Sequence, residues 1–173
     1  RGSYAHYLAE LSDQFAQEES EDAGLYELLS NGLVWLCEAR DPALAARFFE
    51  MRLLSLAGYR PQLFKCAKTG DRLEVDVGEA EIGTAFSPAE SGTLSARAAL
   101  FARDTVSVSR SALMLMRALQ TREFNDINNL DVPESVADQV EGALRRYFVF
   151  TLERALKSTR FIRQVEGLEG AGG

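Results

Sequence analysis

Residues 41 to 66 read DPALAARFFEMRLLSLAGYRPQLFKC. Asp41 followed by Pro42 is typical of a helix start, because the carboxylate accepts hydrogen bonds from free backbone N–H groups and proline fits the first helical turn. Gly58 comes directly after a run of leucine and alanine, and glycine readily adopts the left-handed conformation that ends helices. The stretch therefore predicts a helix that begins at residue 42 and ends just before Gly58.

Several other segments repeat apolar residues every three or four positions, which predicts helices with one buried face. Ser3 precedes the first of them, Asp22 the second, and Ser109 a later one. A further short helix is expected over residues 94 to 103. The longest helix is predicted to open at Pro133-Glu134, and its buried stripe is expected to consist of Ala137, Leu144, Phe148, Leu152, Ala155 and Ile162.

Between Tyr59 and Gly92 the pattern changes to two short alternating runs, residues 73–77 and 82–86, separated by glycine and proline. Such runs are typical of a small β-hairpin. We therefore predict a mainly α protein, a helical bundle with a small β insert. Residues 1–65 and 94–165 would form one helical domain, 66–93 the insert, and 166–173 a disordered tail.

The insert and the residues directly after it contain a knuckle, which we define as the two half-sites 66–69 and 95–98. A structural zinc ion needs four ligands, commonly from two CxxC half-sites. Here Cys66 is the only cysteine, and Thr69, Ser95 and Ala98 occupy the other three positions. The sequence therefore predicts no bound zinc and no other cofactor, with apolar packing and hydrogen bonds in place of the metal.

Cys66 also admits a second interpretation, as a reactive thiol. Lys65 and Lys68 flank it, and nearby positive charge favours the thiolate. The simpler interpretation is a structural cysteine in a turn. A thiol enzyme would also need a neighbouring base, and the single histidine, His6, lies far away in sequence.

Other catalytic chemistry finds little support in the sequence. The acidic cluster Glu18, Glu19, Glu21 and Asp22 is typical of a solvated loop rather than of a tuned general acid. The chain has neither a GxxxxGK[ST] phosphate loop nor a GxGxxG turn between a strand and a helix. We therefore expect a protein that is not an enzyme.

Composition limits the partners and the compartment. A net charge of −7 argues against capture of nucleic acid or anionic membrane by the whole surface. Two cysteines in different segments suit a reducing compartment, and no apolar run approaches the roughly 20 residues needed to cross a bilayer. We expect a cytoplasmic protein without a membrane partner.

Positive charge is nevertheless concentrated on the long helix. Arg146, Phe150, Lys157 and Arg160 lie within about 80° of one another at 100° per residue, with Arg154 at one edge. Basic groups around an aromatic ring suit an acidic peptide with a bulky apolar end, or a phosphate backbone with a base stacked on the ring. Alternatively, Phe150 packs in a second layer and the arginines extend into solvent.

A second basic group begins on the helix of residues 42 to 57, with Arg47 and Arg52, and continues to Arg60 and Lys65. It is either part of a binding face or the solvated side of an ordinary amphipathic helix.

The order of these features resembles the carboxy-terminal part of the RecO family, bacterial recombination mediator and DNA-annealing proteins. The segment RFFEMRLLSLAGYRPQLFKC at 47–66 carries most of the resemblance, supported by SYAHYLAEL at 3–11, LYELL at 25–29 and LERALKS at 152–158. The resemblance implies a helical domain with a zinc-ribbon-like insert, preceded in the full protein by an OB-fold that we expect to be absent from this chain. Cysteines are common in that family at the positions of Cys66, Thr69, Ser95 and Ala98, so this chain departs from the pattern at three of them.

The resemblance further implies partners. The family acts with RecR, binds the acidic, phenylalanine-ended tail of single-stranded DNA-binding protein, anneals strands and loads RecA, at the nucleoid. Without the OB-fold we expect only weak binding of single-stranded DNA. A groove for the tail is expected among Arg47, Arg52, Phe150, Arg154 and Lys157. The alternative is a helical adaptor or regulator that binds another acidic partner and has no link to DNA.

Overall fold

A computed structural model of the chain describes residues 1–16, 23–78 and 83–172, apart from the side chain of Thr159. The fold is mainly α-helical with a small three-stranded antiparallel sheet, as predicted. The helices are α1 (Gly2–Phe15), α2 (Ala23–Glu38), α3 (Pro42–Leu56), α4 (Ala96–Ala99), α5 (Arg110–Thr121), α6 (Phe124–Asn128) and α7 (Glu134–Ala171). The strands are β1 (Thr84–Ser87), β2 (Gly92–Leu94) and β3 (Val106–Val108).

Helix α3 is the centre of the molecule. Asp41 caps it by accepting from the N–H groups of Ala43 and Leu44 at 2.9 and 3.4 Å. Gly58, at φ +86°, follows its last turn, so both predicted ends are confirmed. The helix packs against α1, α2, α5, α6 and α7. Its buried side chains therefore surround its axis instead of forming one stripe: Leu44, Ala45, Ala46, Phe48, Phe49, Glu50, Met51, Leu53 and Leu54.

Helix α2 approaches α3 closely because Gly32 lies at their contact. A Cβ atom at Gly32 would lie 2.5 Å from the Phe49 ring and 3.1 Å from Leu8 of α1. At the other end of the contact, the Trp35 indole packs 4.8 Å from the Phe48 ring and 5.6 Å from the Phe124 ring. Helices α2, α3 and α6 therefore share one aromatic cluster.

The sheet has the order β2-β1-β3, and its third strand lies outside the predicted insert of residues 66–93. The predicted strand at 73–77 is wrong, because Glu74–Asp76 forms a 3-10 turn. Polar side chains of this turn have partners that a strand would not offer: the Glu74 carboxylate accepts from the Ala96 N–H at 3.0 Å, and Asp76 pairs with Arg117. Ile82 of the other predicted run lies outside the described residues.

Two long-range contacts join the sheet to the helices. Tyr147 of α7 packs edge-on against Phe86 of β1 at 5.5 Å and donates its hydroxyl to the Tyr59 carbonyl at 2.7 Å. Gln62, which follows α3, exchanges backbone hydrogen bonds with Ser91 and Thr93 at 2.9 and 2.8 Å. The insert is therefore held against the helical body.

Helix α7 begins at Glu134, as predicted, but its second half differs from the expectation. It continues to Ala171, where the sequence predicted a disordered tail from residue 166. Of the predicted stripe, Leu144 and Phe148 are buried, whereas Ile162 is 54% exposed. The reason is geometric, because the helical body ends beneath the middle of α7 and leaves the rest of its apolar face uncovered.

Smaller differences concern helix ends. Arg1, not Ser3, occupies the cap position of α1. The helix expected over 94–103 is limited to α4, while the Ser109 cap of α5 is confirmed by its bond from the Ala112 N–H at 3.1 Å. Asp22 lies outside the described residues. No helix in the described part of the chain has the length and apolar character to cross a membrane.

The contact at Gly32 can be tested by adding one methyl group. Gly32→Ala should lower the free energy of unfolding by about 1 to 3 kcal/mol, because the Phe49 ring and the helix pair must shift apart. Chemical denaturation followed by circular dichroism measures this. Gly142→Ala is the matched control, since nothing lies within 4 Å of a Cβ there and alanine favours the helix by up to about 1 kcal/mol. Equal effects of the two substitutions would show that the contact is not close.

Candidate partner-binding surface

Five of the predicted partner-binding residues lie on one side of α7. We call Arg146, Phe150, Arg154, Lys157 and Arg160 the α7 basic face. Its four cationic side chains are exposed and Phe150 is half-buried. The regular helix produces this grouping, because at 100° per residue the five residues fall within about 120° around its axis.

Arg154 and Phe150 form the ordered centre of this face. The Arg154 guanidinium lies 5.0 Å from the centroid of the Phe150 ring, a cation–π contact. The same guanidinium lies 3.5 Å from the Ala89 carbonyl in the turn between β1 and β2. Phe150 is therefore covered on one side by a positive charge and is neither a core residue nor a freely solvated ring.

The remaining charges of the face have no acidic partner within the described residues. No described carboxylate lies within 4.0 Å of Arg146, Lys157 or Arg160. Elsewhere the cations are often paired, as in the contact of Arg117 with Asp76 at 2.8 Å. An exposed row of unneutralised cations around an aromatic ring can attract an anionic ligand and give it an apolar contact.

Arg47 belongs to a different site. It lines a pocket of about 310 Å³ between α1, α3 and α7, together with Ser3, Tyr4, Tyr7, Glu50, Glu141 and Arg145. Its Nε atom lies 2.8 Å from Glu50 Oε2, an ion pair without the alignment of a hydrogen bond. Its Nη1 atom lies 3.4 Å from Glu141. Arg47 is thus already neutralised and only 11% exposed.

Glu50 is the buried acid of this pocket. Its side chain is 4% exposed, and burial raises the pKa of the carboxyl above its ordinary value near 4.5, although Arg47 and the Tyr7 hydroxyl oppose the change. Tyr7 donates to Glu50 Oε1 at 2.5 Å, and burial together with this carboxylate raises the pKa of Tyr7. Because Arg47 and Arg145 face Glu50 and Glu141, the pocket has balanced charge.

Arg52 lies apart from both sites. Its guanidinium stacks on the Phe48 ring at 4.7 Å and donates to the carbonyl of Arg122. It therefore joins α3 to the end of α5 and has a structural role in the fold. The structure thus separates Arg47 and Arg52 from the five residues on α7.

Arg145 is a pocket residue that sequence analysis missed. It lies next to Arg146 in sequence but points about 100° away around the helix, to Glu141 at 2.9 Å. The (i, i+4) spacing of Glu141 and Arg145 was an available signal. The closeness of both to Arg47 depends on tertiary packing and leaves no trace in the local pattern.

The knuckle positions do converge. Cys66 is 1% exposed, and backbone and side-chain donors of Ser95 and Thr69 point at its sulfur. Burial raises the pKa of the thiol, but these hydrogen bonds outweigh burial and lower it to about 7. The Ser95 hydroxyl oxygen also accepts from the Ala98 N–H at 3.3 Å, which places the fourth position in the first turn of α4, next to Ser95.

This donor set does not fit zinc. Ala98 has no donor atom, the Ser95 hydroxyl caps α4, and neutral hydroxyls are poor replacements for thiolates. No group of three or more histidine, cysteine, aspartate or glutamate side chains suited to a metal occurs in the ranges that the structure describes. Zinc binding therefore has no support from the chemistry of the residues present.

A reactive role for Cys66 also lacks support from the geometry. The low pKa favours the thiolate, but the buried sulfur is closed to a substrate. His6, the required base in such a dyad, lies on the exposed side of α1 and pairs with Glu10 at 3.1 Å. The acidic cluster at residues 18–22 lies outside the described residues.

Comparison with known proteins assigns these features to a family. The family model described as Recombination protein O C terminal matches residues 1–160. The DNA repair protein RecO of Roseiflexus sp. (strain RS-1) is 32% identical over 161 residues, covering 93% of this chain and 55% of that protein. The DNA repair protein RecO of Symbiobacterium thermophilum is 30% identical over 163 residues, covering 94% and 63% respectively. The chain thus spans between half and two thirds of the length of these relatives.

The buried carboxyl of Glu50 predicts a specific dependence of stability on pH. A carboxyl with a raised pKa in the folded state stabilises that state when protonated, and this contribution is lost as the pH rises through the folded-state pKa. Glu50→Gln should therefore gain stability relative to the unaltered protein as the pH rises above the ordinary carboxyl pKa, because glutamine cannot acquire the buried charge. Denaturation at a series of pH values measures it.

Glu27→Gln is the control for that experiment, because Glu27 is exposed on α2. The pH-dependent difference should be larger for Glu50→Gln than for this control, because, of the two carboxyls, only that of Glu50 is buried. A flat difference for Glu50→Gln would contradict a raised pKa.

The convergence of the knuckle positions predicts that metal binding can be restored. A variant with Thr69→Cys, Ser95→Cys and Ala98→Cys should bind about one zinc ion per chain, since four thiolates suffice for a structural site. Elemental analysis after desalting measures it, and the unaltered protein, as control, should contain none. Zinc at a similar level in the unaltered protein would overturn the prediction that Cys66, Thr69, Ser95 and Ala98 bind no zinc. Absence of zinc from the variant would show that the four positions do not converge.

Proposed function

This chain belongs to the RecO C-terminal family, and we propose that it serves as a non-enzymatic mediator domain in DNA repair and recombination. The relatives named DNA repair protein RecO match it along 89 to 95% of its length. Because the chain spans only 55 to 63% of those relatives, the activity of the whole protein is part of the proposal.

The α7 basic face is the observation that carries the partner assignment. We infer that it binds an acidic peptide with a terminal aromatic residue, as found at the end of single-stranded DNA-binding protein. Acidic side chains would meet Arg146, Lys157 and Arg160, which have no carboxylate partner among the described residues. The terminal ring would pack beside Phe150 and Arg154, whose stacked arrangement offers an aromatic face and a cation together.

Balanced charge makes the pocket around Arg47 a weaker candidate for the same peptide. Two arginines there already face two glutamates, and Arg47 is nearly buried. An acidic peptide would have to displace Glu141 or Glu50 from its cation. On the α7 basic face no such exchange is needed, so binding leaves the existing ion pairs intact.

In this proposal the domain works with RecR in annealing strands and loading RecA, in the cytoplasm at the nucleoid. Its own affinity for single-stranded DNA is low, because the net charge is −7 and phosphate contacts must come from a local patch. An OB-fold elsewhere in the full protein would supply the main DNA contacts.

Fluorescence anisotropy with a labelled acidic peptide that ends in phenylalanine tests this site. Saturable binding should weaken about tenfold or more in Arg154→Glu and in Lys157→Glu, and should weaken as salt increases. The matched control is Arg103→Glu, which makes the same change of charge at an exposed position before β3.

Unchanged affinity in both α7 variants would exclude the α7 basic face. Equal weakening in Arg103→Glu would indicate a response to net charge alone. Binding of unrelated acidic peptides as tightly as the phenylalanine-ended one would favour an adaptor with another acidic partner over the DNA-linked role.

A further inference from the structure

The knuckle meets the α7 basic face at one turn of the sheet. This is the turn between β1 and β2, residues 88–91, and the Ala89 carbonyl in it lies 3.5 Å from the Arg154 guanidinium. The same turn also contacts the first knuckle half-site, because the Lys68 Nζ atom lies 3.7 Å from the Glu90 carboxylate. Two adjacent residues, Ala89 and Glu90, therefore join the knuckle to the peptide site proposed above.

The ion pair between Lys68 and Glu90 stands on ordered backbone at both ends. The Glu90 N–H donates to the Ser87 hydroxyl at 3.1 Å. In the half-site, the Ala67 N–H next to Lys68 donates to the Thr93 carbonyl of β2 at 2.7 Å. The fold therefore presents the two side chains to each other, although both are partly exposed to solvent, at 47 and 37%.

Arg154 lies within reach of the same carboxylate. The Ala89 carbonyl belongs to the peptide bond to Glu90, so one guanidinium nitrogen is at most about 6 Å from the Glu90 Cα atom. A glutamate side chain spans most of that distance, yet among the described residues no carboxylate lies within 4.0 Å of Arg154. Glu90 pairs with Lys68 instead. Arg154 has a carbonyl oxygen and the Phe150 ring as its neighbours.

A carboxylate on Arg154 would compete with an acidic peptide. The peptide needs this guanidinium beside Phe150, and a glutamate within the fold would meet it at a high effective concentration. An exposed ion pair changes affinity by a factor of about two to five, so such competition is modest but measurable. The cation that Glu90 takes therefore determines how much of Arg154 is available to a partner.

We propose that Lys68 is a positioning residue for the α7 basic face: by pairing with Glu90, it holds that carboxylate away from Arg154 and leaves the guanidinium open to the acidic peptide. Lys68 acts through Glu90 and not by contact with the peptide. The half-site 66–69, which lacks the ligands for zinc, thereby has a role in partner binding. This role rests on the peptide site proposed above, so it is tested both with the peptide and without it.

A second acid borders this site. Glu153 precedes Arg154, is exposed, and at 100° per residue falls within the angular range of the α7 basic face. No described cation lies within 4.0 Å of its carboxylate. Its charge opposes the binding of an acidic peptide, but Glu153 is the same in every variant compared below. Differences among those variants therefore report on Lys68 and Glu90.

Peptide binding in a double-mutant cycle tests this role. Lys68→Gln should weaken binding of the labelled phenylalanine-ended peptide about two- to fivefold, because Glu90 is released to pair with Arg154. In a chain that already carries Glu90→Gln, the same substitution should have little effect. Lys68→Arg should bind like the unaltered protein, because arginine also pairs with a carboxylate.

The matched control is Arg40→Gln. It removes one positive charge from another exposed ion pair, in which Arg40 lies 3.5 Å from Asp131 in the loop before α7. Its peptide affinity should stay close to that of the unaltered protein. Equal weakening in Arg40→Gln and Lys68→Gln would show that net charge is responsible, against the role of Lys68.

The hold on Glu90 also has a readout that needs no peptide. In heteronuclear NMR spectra, the Nε–H resonance of Arg154 is assigned by its loss in Arg154→Glu. It should shift in Lys68→Gln, since a carboxylate partner changes the hydrogen bonding of the guanidinium, and the shift should vanish when Glu90→Gln is added. If the unaltered protein fails to bind the peptide, the peptide site is wrong, and these spectra still decide whether Lys68 holds Glu90.

Three results would overturn the role of Lys68. One is an equal loss of peptide affinity from Lys68→Gln with and without Glu90→Gln, which would indicate direct contact with the peptide. Another is a Lys68→Arg variant that binds as weakly as Lys68→Gln. The third is an Arg154 resonance that stays unchanged in Lys68→Gln.

Discussion

Helix α3 is buried on every side, and the other helices are arranged around it to cover its apolar side chains. Leu44, Phe48, Phe49 and Leu53 need cover in several directions at once, so helices must surround α3 instead of stacking on one face. The contact at Gly32 lets α2 approach closely enough to provide that cover. The one carboxylate on α3, Glu50, is enclosed with the apolar residues and must therefore bring its own partners, Arg47 and Tyr7.

The central position of α3 also determines which cations are bound within the fold and which can bind a partner. Arg47 and Arg52 lie on the central helix, and both are bound to protein groups. Arg146, Lys157 and Arg160 of the α7 basic face lie at the edge of the molecule, and no described carboxylate neutralises them. Charge that the fold does not neutralise is free to neutralise a ligand, which is why the α7 basic face is the better site for an anionic partner.

Sequence signals identified elements whose ends are set by local chemistry. The Asp41 cap, Gly58 and the Ser109 cap act within a few residues, so the bounds of α3 and the start of α5 were predictable. The 3-10 turn at Glu74–Asp76 was not predictable, because its carboxylates accept hydrogen bonds from Ala96 and Arg117, which are distant in sequence. The grouping on α7 followed from helical periodicity, whereas the pocket joins Tyr7, Arg47 and Arg145 from three helices and required the tertiary structure. The uncovered half of α7 was also hidden, since periodicity predicts an apolar face but not whether anything covers it.

The bond from the Tyr147 hydroxyl to the Tyr59 carbonyl determines how late in synthesis the fold can be completed. The two residues are 88 positions apart, which takes roughly 4 to 18 s of synthesis at about 5 to 20 residues per second. Throughout that interval the Tyr59 carbonyl has no Tyr147 to accept from, and Phe86 has no Tyr147 ring to pack against during the last 61 of those 88 residues. The insert therefore leaves the ribosome long before the helix that holds it in place, and its apolar strands are exposed to other chains until α7 arrives.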